Sequence, residues 1–394
     1  YMLFSFLLFS QVPISFIALH SGIENRVLMI ITRGIIVFFS IFILIKLVNL
    51  KLNAWTTLAI SFWVFYIIRL YIDVAIFDVK IFMPIWEILA WGIGASLIPS
   101  IALNALSLNI KNRIKPNILI YFGILSLGIS LLLFTFDFNI LDDKFALPHL
   151  NPIPAGHAGV SLYIISLSCI FNNTQLTKKY TFNFISLLGV GIGAIITFSS
   201  STRSAFIALV ITTIIILFHL SKSITTRNRI LITGISTIFI SITYMIFGGS
   251  GLIEKMNSIG RGDSELTRLV LINKGIQSWI DKPLFGTGFE MHEILNKSSM
   301  HLNLYYPHNF IIESLLIGGL ILTTIITLLM LSTTMKAFAL MSFSTYEVCL
   351  VCLWTQSLIY VMFSGHLGNV PIFWFSSALV SGRHEFLTYK KLKQ

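Results

Sequence analysis

Charged side chains are scarce in this chain: Asp, Glu, Lys and Arg make up 11% of its 394 residues, against 56% hydrophobic. Soluble domains carry about 25% charged residues, so a water-soluble globule is excluded. A mean hydropathy of +0.87 agrees. Cysteine is also rare, and Cys169, Cys349 and Cys352 all fall in apolar runs. Cys349-x-x-Cys352 lacks a second pair or a nearby His, so these thiols read as small buried residues in helices rather than zinc ligands. No histidine pair has metal-site spacing, and no Gly-x-x-x-x-Gly-Lys-Ser/Thr loop is present, so neither a metal nor ATP is expected. Apolar runs are continuous rather than alternating, which excludes a β-barrel. There is no internal repeat with matched broken helices, the pointer to an inverted-repeat transporter.

What the chain does have is apolar length. Runs of about 18–20 apolar residues recur, each enough to cross roughly 30 Å of hydrocarbon as a helix. They predict an all-α, polytopic transmembrane bundle of about twelve spans, near 2–19, 27–45, 54–72, 81–108, 118–135, 157–173, 180–198, 204–220, 230–247, 309–332, 346–363 and 371–387. The first run starts without a charged n-region and reads as a retained span. The 81–108 run carries Glu87 and Pro99 and is a candidate for a break. Three regions result: helices 1–9 in 1–247, a polar loop over 248–308, and helices 10–12 with a tail in 309–394.

The net charge of +11 is scattered over short loops, so it does not mark a nucleic-acid partner. It sets orientation instead. Lys46, Lys111, Arg113, Lys178, Lys179, Lys222, Arg227, Lys336, Arg383 and Lys390 lie in one set of loops, and Asp73, Asp78, Asp137 and Asp142 in the other. The positive-inside rule makes the first set cytoplasmic, with both termini. Loop 248–308 and the Ser199–Arg203 turn then emerge on the outer face.

The polar residues concentrate in that outer loop. It reads Arg261-Gly-Asp263-Ser-Glu265-Leu-Thr-Arg268, then Trp279-Ile-Asp-Lys-Pro283-Leu-Phe-Gly286-Thr-Gly288, then Pro307-His308-Asn309 leading to Gly318-Gly319. Apolar spacing over Leu269–Trp279 predicts an amphipathic helix ended by Asp281-Lys-Pro283. Arg203 lies among Ser and Thr at the outer edge of a span, and either snorkels to lipid head groups or holds an anion. Arg268 and Arg261 suit phosphate oxygens, which guanidinium grips with paired donors, or else pair with Asp263 and Glu265. An imidazole, with an ordinary pKa of about 6.5, can take a proton at ambient pH, which makes His308 a candidate base, and Asn309 either orients it or holds a sugar hydroxyl, or else caps the next helix. Glu313 is a membrane-depth carboxylate, an alternative base or a His partner. His157, at the outer end of another span, is a candidate for the same cavity; His292, His301 and His366 are weaker.

Arg268…Trp279-Ile-Asp-Lys-Pro283-Leu-Phe-Gly286-Thr-Gly288, followed by His308-Asn309 and a Gly-rich helix, resembles the O-antigen ligase/polymerase superfamily, and Thr202-Arg203-Ser matches a second signature of it. The resemblance implies a glycosyltransferase of the bacterial inner membrane, acting at the periplasmic face on a glycan carried by undecaprenyl diphosphate. Arg203 and Arg268 would hold the diphosphate, and His308 would be the base on the acceptor hydroxyl. Inversion without metal or other cofactor follows. The acceptor is another lipid-linked glycan in a polymerase or lipid A-core in a ligase. Leu322, where ligases carry Gly, Thr or Tyr, tilts the reading to polymerase. Membrane lipid surrounds the chain, and a chain-length regulator is a candidate partner. The competing class is a transporter or flippase for the same glycan, with Arg69, Glu87 and Glu313 as intramembrane charges.

Overall fold

Lipid offers no hydrogen-bond partner, so an apolar chain satisfies its backbone within itself as helix. The computed structural model describes residues 2–47, 53–81, 83–109, 116–137, 152–172, 179–220, 263–298, 306–343, 345–368 and 370–393. Among these residues every regular element is helical. In chain order they are α1 (Met2–Phe9), α2 (Gln11–Ser21), α3 (Asn25–Lys46), α4 (Ala54–Tyr71), α5 (Ile85–Leu89), α6 (Ile98–Asn109), α7 (Pro116–Asp137), α8 (Pro152–Asn172), α9 (Lys179–Ser199) and α10 (Arg203–Leu220). Then follow α11 (Asp263–Asp281), α12 (Met291–Ser298), α13 (Phe310–Leu340), α14 (Thr345–Phe363) and α15 (Pro371–Leu392). A π-helical turn, Ile72–Ile76, extends α4, and another, Ala90–Leu97, joins α5 to α6. The span expected near 230–247, the start of the polar loop and Arg261 lie outside the described residues.

Six described helices are long and apolar enough to cross a membrane, or seven if α1 and α2 form one broken span, and 184–199, 203–219 and 347–363 are shorter apolar helices. This fits a multi-pass helical membrane bundle. Two details differ from the sequence reading. The expected first span is two helices meeting at 64°. The expected span 309–332 runs on to Leu340, so Lys336 sits inside a helix rather than in a loop. Its ammonium is held there by the Ser381 hydroxyl at 2.7 Å and Glu385 at 2.8 Å.

The bundle is sorted inside out. Only 11% of the apolar window of α3 is buried, and Phe38, Phe42 and Ile45 point outward. The corresponding window of α8 is 83% buried. Without a hydrophobic drive between helices in lipid, small residues and close backbone packing decide who sits inside. Gly159 of α8 and Gly193 of α9 show this: a Cβ on either would strike the other's carbonyl.

Polar contacts mark the two ends. At one, Asn53 caps α4 and donates to Asn104 and Glu385, both at 3.0 Å, while Arg383 donates to Glu347 at 3.0 Å. At the other, Arg69 Nε and the backbone N–H of Phe289 share Asp73 Oδ2, at 3.0 and 2.7 Å. Lys336 and Arg383 thus gather with Glu347 and Glu385 at one end, and Arg69 with Asp73 at the other. The second end carries the site.

Candidate active site

The Trp279–Gly288 segment is a docked strut. As expected, α11 ends at Asp281, and the next residues turn tightly. Gly319 breaks α13 with φ 60° and ψ −152°, a region open essentially to glycine. The break frees main-chain groups that the strut satisfies. Leu320 N–H donates to Pro283 O at 2.9 Å, and Thr287 Oγ1 to Leu316 O at 3.4 Å. Trp279 Nε1 donates to Pro283 O at 3.0 Å. With Phe289 on Asp73, the strut is fastened to both the π-helical turn after α4 and α13.

His308 sits where the chain enters α13. Its φ of +56° is uncommon for a residue with a Cβ. Asn309 is the N-cap: its Oδ1 accepts from Ile311 and Ile312 N–H, both at 3.1 Å, and its Nδ2 donates to Met362 O at 3.3 Å. The cap that the sequence offered for Asn309 is present. The His308 ring rests on Tyr306, centroids 4.2 Å apart. Burial, reinforced by the nearby Arg268 charge, lowers its pKa to about 4. A neutral imidazole at pH 7 is the form able to accept a proton.

Arg268, on α11, is an electrostatic neighbour of His308. Its Nη1 donates to Phe363 O at 3.3 Å, the last residue of α14. Burial lowers its pKa, and the Tyr306 phenol opposes that. Arg203 opens α10 directly after the Ser199–Thr202 turn, where Ser201 has φ 49°. The two guanidinium groups are electrostatic neighbours. Like charges brought together repel, and an anion between them removes that repulsion.

Glu313 is fully buried and takes Leu367 N–H on both carboxylate oxygens at 3.1 Å. Its histidine is His366, with Nε2 3.3 Å from Oε1, and not His308. His157 stacks on Tyr360 at 4.3 Å, and its Nε2 lies 3.2 Å from Ser204 Oγ, next to Arg203. The chain therefore brings Arg203, Arg268, His308, Glu313 and His157 to one end of the bundle.

Residues 188–327 match the family model described as O-Antigen ligase. The match supports the O-antigen ligase/polymerase superfamily as the family of this chain. Members are glycosyl-transferring enzymes, and a multi-pass membrane location accords with the helices. No curated protein matches the chain. The matched stretch contains Arg203, Arg268, His308, Asn309 and Glu313 and ends before His366.

Two residues at this end, Tyr306 and Asp73, were not singled out in the sequence, and His366 only as a weaker candidate. Tyr306 stands two residues before His308 but carries no motif. His366 follows α14 and reaches the site only through the fold. Asp73 reads as an ordinary outer-loop acid, yet it is 2% exposed beneath the strut. The signal available for His366 was weak: a polar residue between glycines in an apolar chain. The thiols behave as expected, all free and none exposed, with Cys352 Sγ donating to Thr212 O at 3.7 Å.

Proposed function

We propose that this chain transfers a glycan from a polyprenyl-diphosphate donor, undecaprenyl diphosphate in a bacterial inner membrane, at the periplasmic face. What carries the reading is the half-buried imidazole of His308, its pKa held low by burial and by the nearby Arg268, with Arg203 as the next cation. Arg203 and Arg268 bind the diphosphate. His308 removes the proton of the acceptor hydroxyl as that oxygen attacks the anomeric carbon. The bond from carbon to phosphate oxygen breaks, the electron pair leaves on the diphosphate, and the arginines offset the developing charge. Configuration inverts in this single displacement. His157 supports the start of α10 through Ser204, and Arg261 remains a candidate for the same anion. The polarity rests on the positive-inside rule applied to the basic loops of the sequence, which makes them cytoplasmic.

The acceptor we favour is a second lipid-linked glycan, making the enzyme a polymerase, because Leu322 departs from the ligase pattern. Transfer to lipid A-core is the second reading, favoured by the description of the matched family model. The charges that a transporter would need along a path are paired off instead: Arg69 with Asp73, Glu87 with Arg26, Glu313 with Leu367 and His366.

The test is turnover of lipid-linked glycan by purified protein. His308→Ala should lower kcat by about 10²–10⁴-fold, and Arg268→Ala by about 10²–10³-fold. Turnover that survives both changes sinks the enzyme reading. Product length should grow with lipid-linked donor alone; an enzyme idle until lipid A-core is added is a ligase.

A further inference from the structure

A general-base histidine is ordinarily oriented by a hydrogen bond on its second ring nitrogen. Among the described residues His308 lacks one: its Nδ1 is buried with no hydrogen-bond partner there. What holds the ring is packing, and the packing leads to residues that the proposed chemistry does not use. Tyr306 lies between two imidazoles, 4.2 Å from His308 at 46° and 5.0 Å from His366 at 83°, edge to face. Such ring pairs contribute about 0.5–1.5 kcal/mol beyond burial and prefer defined angles, so they orient as well as attract.

His366 is itself fixed. Gly368 N–H donates to its Nδ1 at 3.1 Å, which makes Nδ1 the acceptor and leaves the hydrogen on Nε2. That Nε2 faces Glu313 Oε1 at 3.3 Å, an electrostatic contact rather than an aligned hydrogen bond. Glu313 also takes Leu367 N–H, so one carboxylate pins the whole 365–368 turn. Glu313 stands one turn inside the helix that Asn309 caps, its N–H donating to Asn309 O at 2.9 Å. The turn begins right after Phe363, whose carbonyl accepts from Arg268. One short turn therefore touches the support of the base and the anchor of the leaving-group arginine.

We infer that the Glu313-pinned turn carrying His366 is a positioning element of the active site: His366 holds the Tyr306 ring, and Tyr306 sets the orientation of His308. The inference rests on the reading of His308 as the base. Neither His366 nor Tyr306 touches the reacting atoms in this scheme.

The experiment is steady-state kinetics of the full-length protein in lipid vesicles. The donor is the lipid-linked glycan extracted from the organism that carries the gene, and rates are expressed per folded molecule after size-exclusion chromatography. Tyr306→Leu removes the ring and should lower kcat by about 10–100-fold, since small misplacements of reacting groups cost that much. Donor KM should stay within about 2-fold, because the diphosphate contacts survive. Tyr306→Phe should rescue most of the loss. His366→Ala should reproduce the Tyr306→Leu defect, and the double variant should be no worse than either single one, as for residues acting in one unit. If His366→Ala does not fold, Tyr306→Leu and its Phe rescue decide alone, because they leave the Glu313 contacts intact. A Tyr306→Leu enzyme with unchanged kcat, or losses that multiply in the double variant, overturns the inference while leaving the base assignment standing. Full turnover in His308→Ala removes both readings.

Discussion

At the residue scale, the proposed mechanism makes two demands that conflict in lipid: cations to hold a diphosphate and a base that stays neutral. His308 meets the second through burial first and through repulsion from Arg268 second. A consequence concerns pH. Lowering the pKa to about 4 keeps the proton-accepting form populated well below the ordinary histidine value near 6.5. The kcat/KM profile of the free enzyme should therefore be flat through neutrality on its acid side and fall only as pH approaches about 4. An acid limb centred near 6.5, measured with a donor whose own ionisation is constant in that range, would show His308 to be solvated and this electrostatic account wrong. Asn309 carries the opposite lesson. Its amide is spent on the helix start and on Met362, so its position beside His308 is a matter of support.

At the element scale, the strut and the α13 kink act as one joint. A helix through Gly319 without the break would keep its own hydrogen bonds and have no free amide at Leu320 for Pro283. An alanine there meets two obstacles, the positive φ and the backbone of Leu284 and Phe285. Gly319→Ala should cost about 1–3 kcal/mol, read as a lower apparent melting temperature in detergent. Activity should fall together with protease resistance around Lys282. Retained activity with an unchanged melting temperature would mean that the strut does not depend on the kink. Much of this element was visible early: Asp281-Lys-Pro283 as a helix stop and Gly286-Thr-Gly288 as a turn are local chemistry. The docking partner was not, because Gly318-Gly319 inside an apolar run gives no local sign of which glycine breaks the helix.

At the scale of the whole molecule, the polarity of the bundle is the property most open to measurement. Asp281 is exposed at the site end, and Ser342 is exposed at the end of Lys336 and Arg383. None of the three native thiols is exposed, which gives a low labelling background. In intact spheroplasts, Asp281→Cys should react with a membrane-impermeant maleimide, and Ser342→Cys should react only after permeabilisation. The reverse pattern would place the site in the cytoplasm and contradict the proposed periplasmic chemistry.

The sequence by itself determined the class of molecule: apolar length forces helices across lipid. It also singled out Arg203, Arg268 and His308 as candidates, since a cation or an imidazole at a membrane edge is costly enough to stand out in a single chain. Tertiary structure decided what each residue faces. Glu313 is paired with His366 rather than His308, and Asp73 holds the strut. Arg268 leans on the end of α14, and Lys336 stays inside a helix because Glu385 reaches it from α15. These are choices between partners on different helices. Composition and spacing fix which face of a helix is polar, but helix packing alone fixes which polar faces meet.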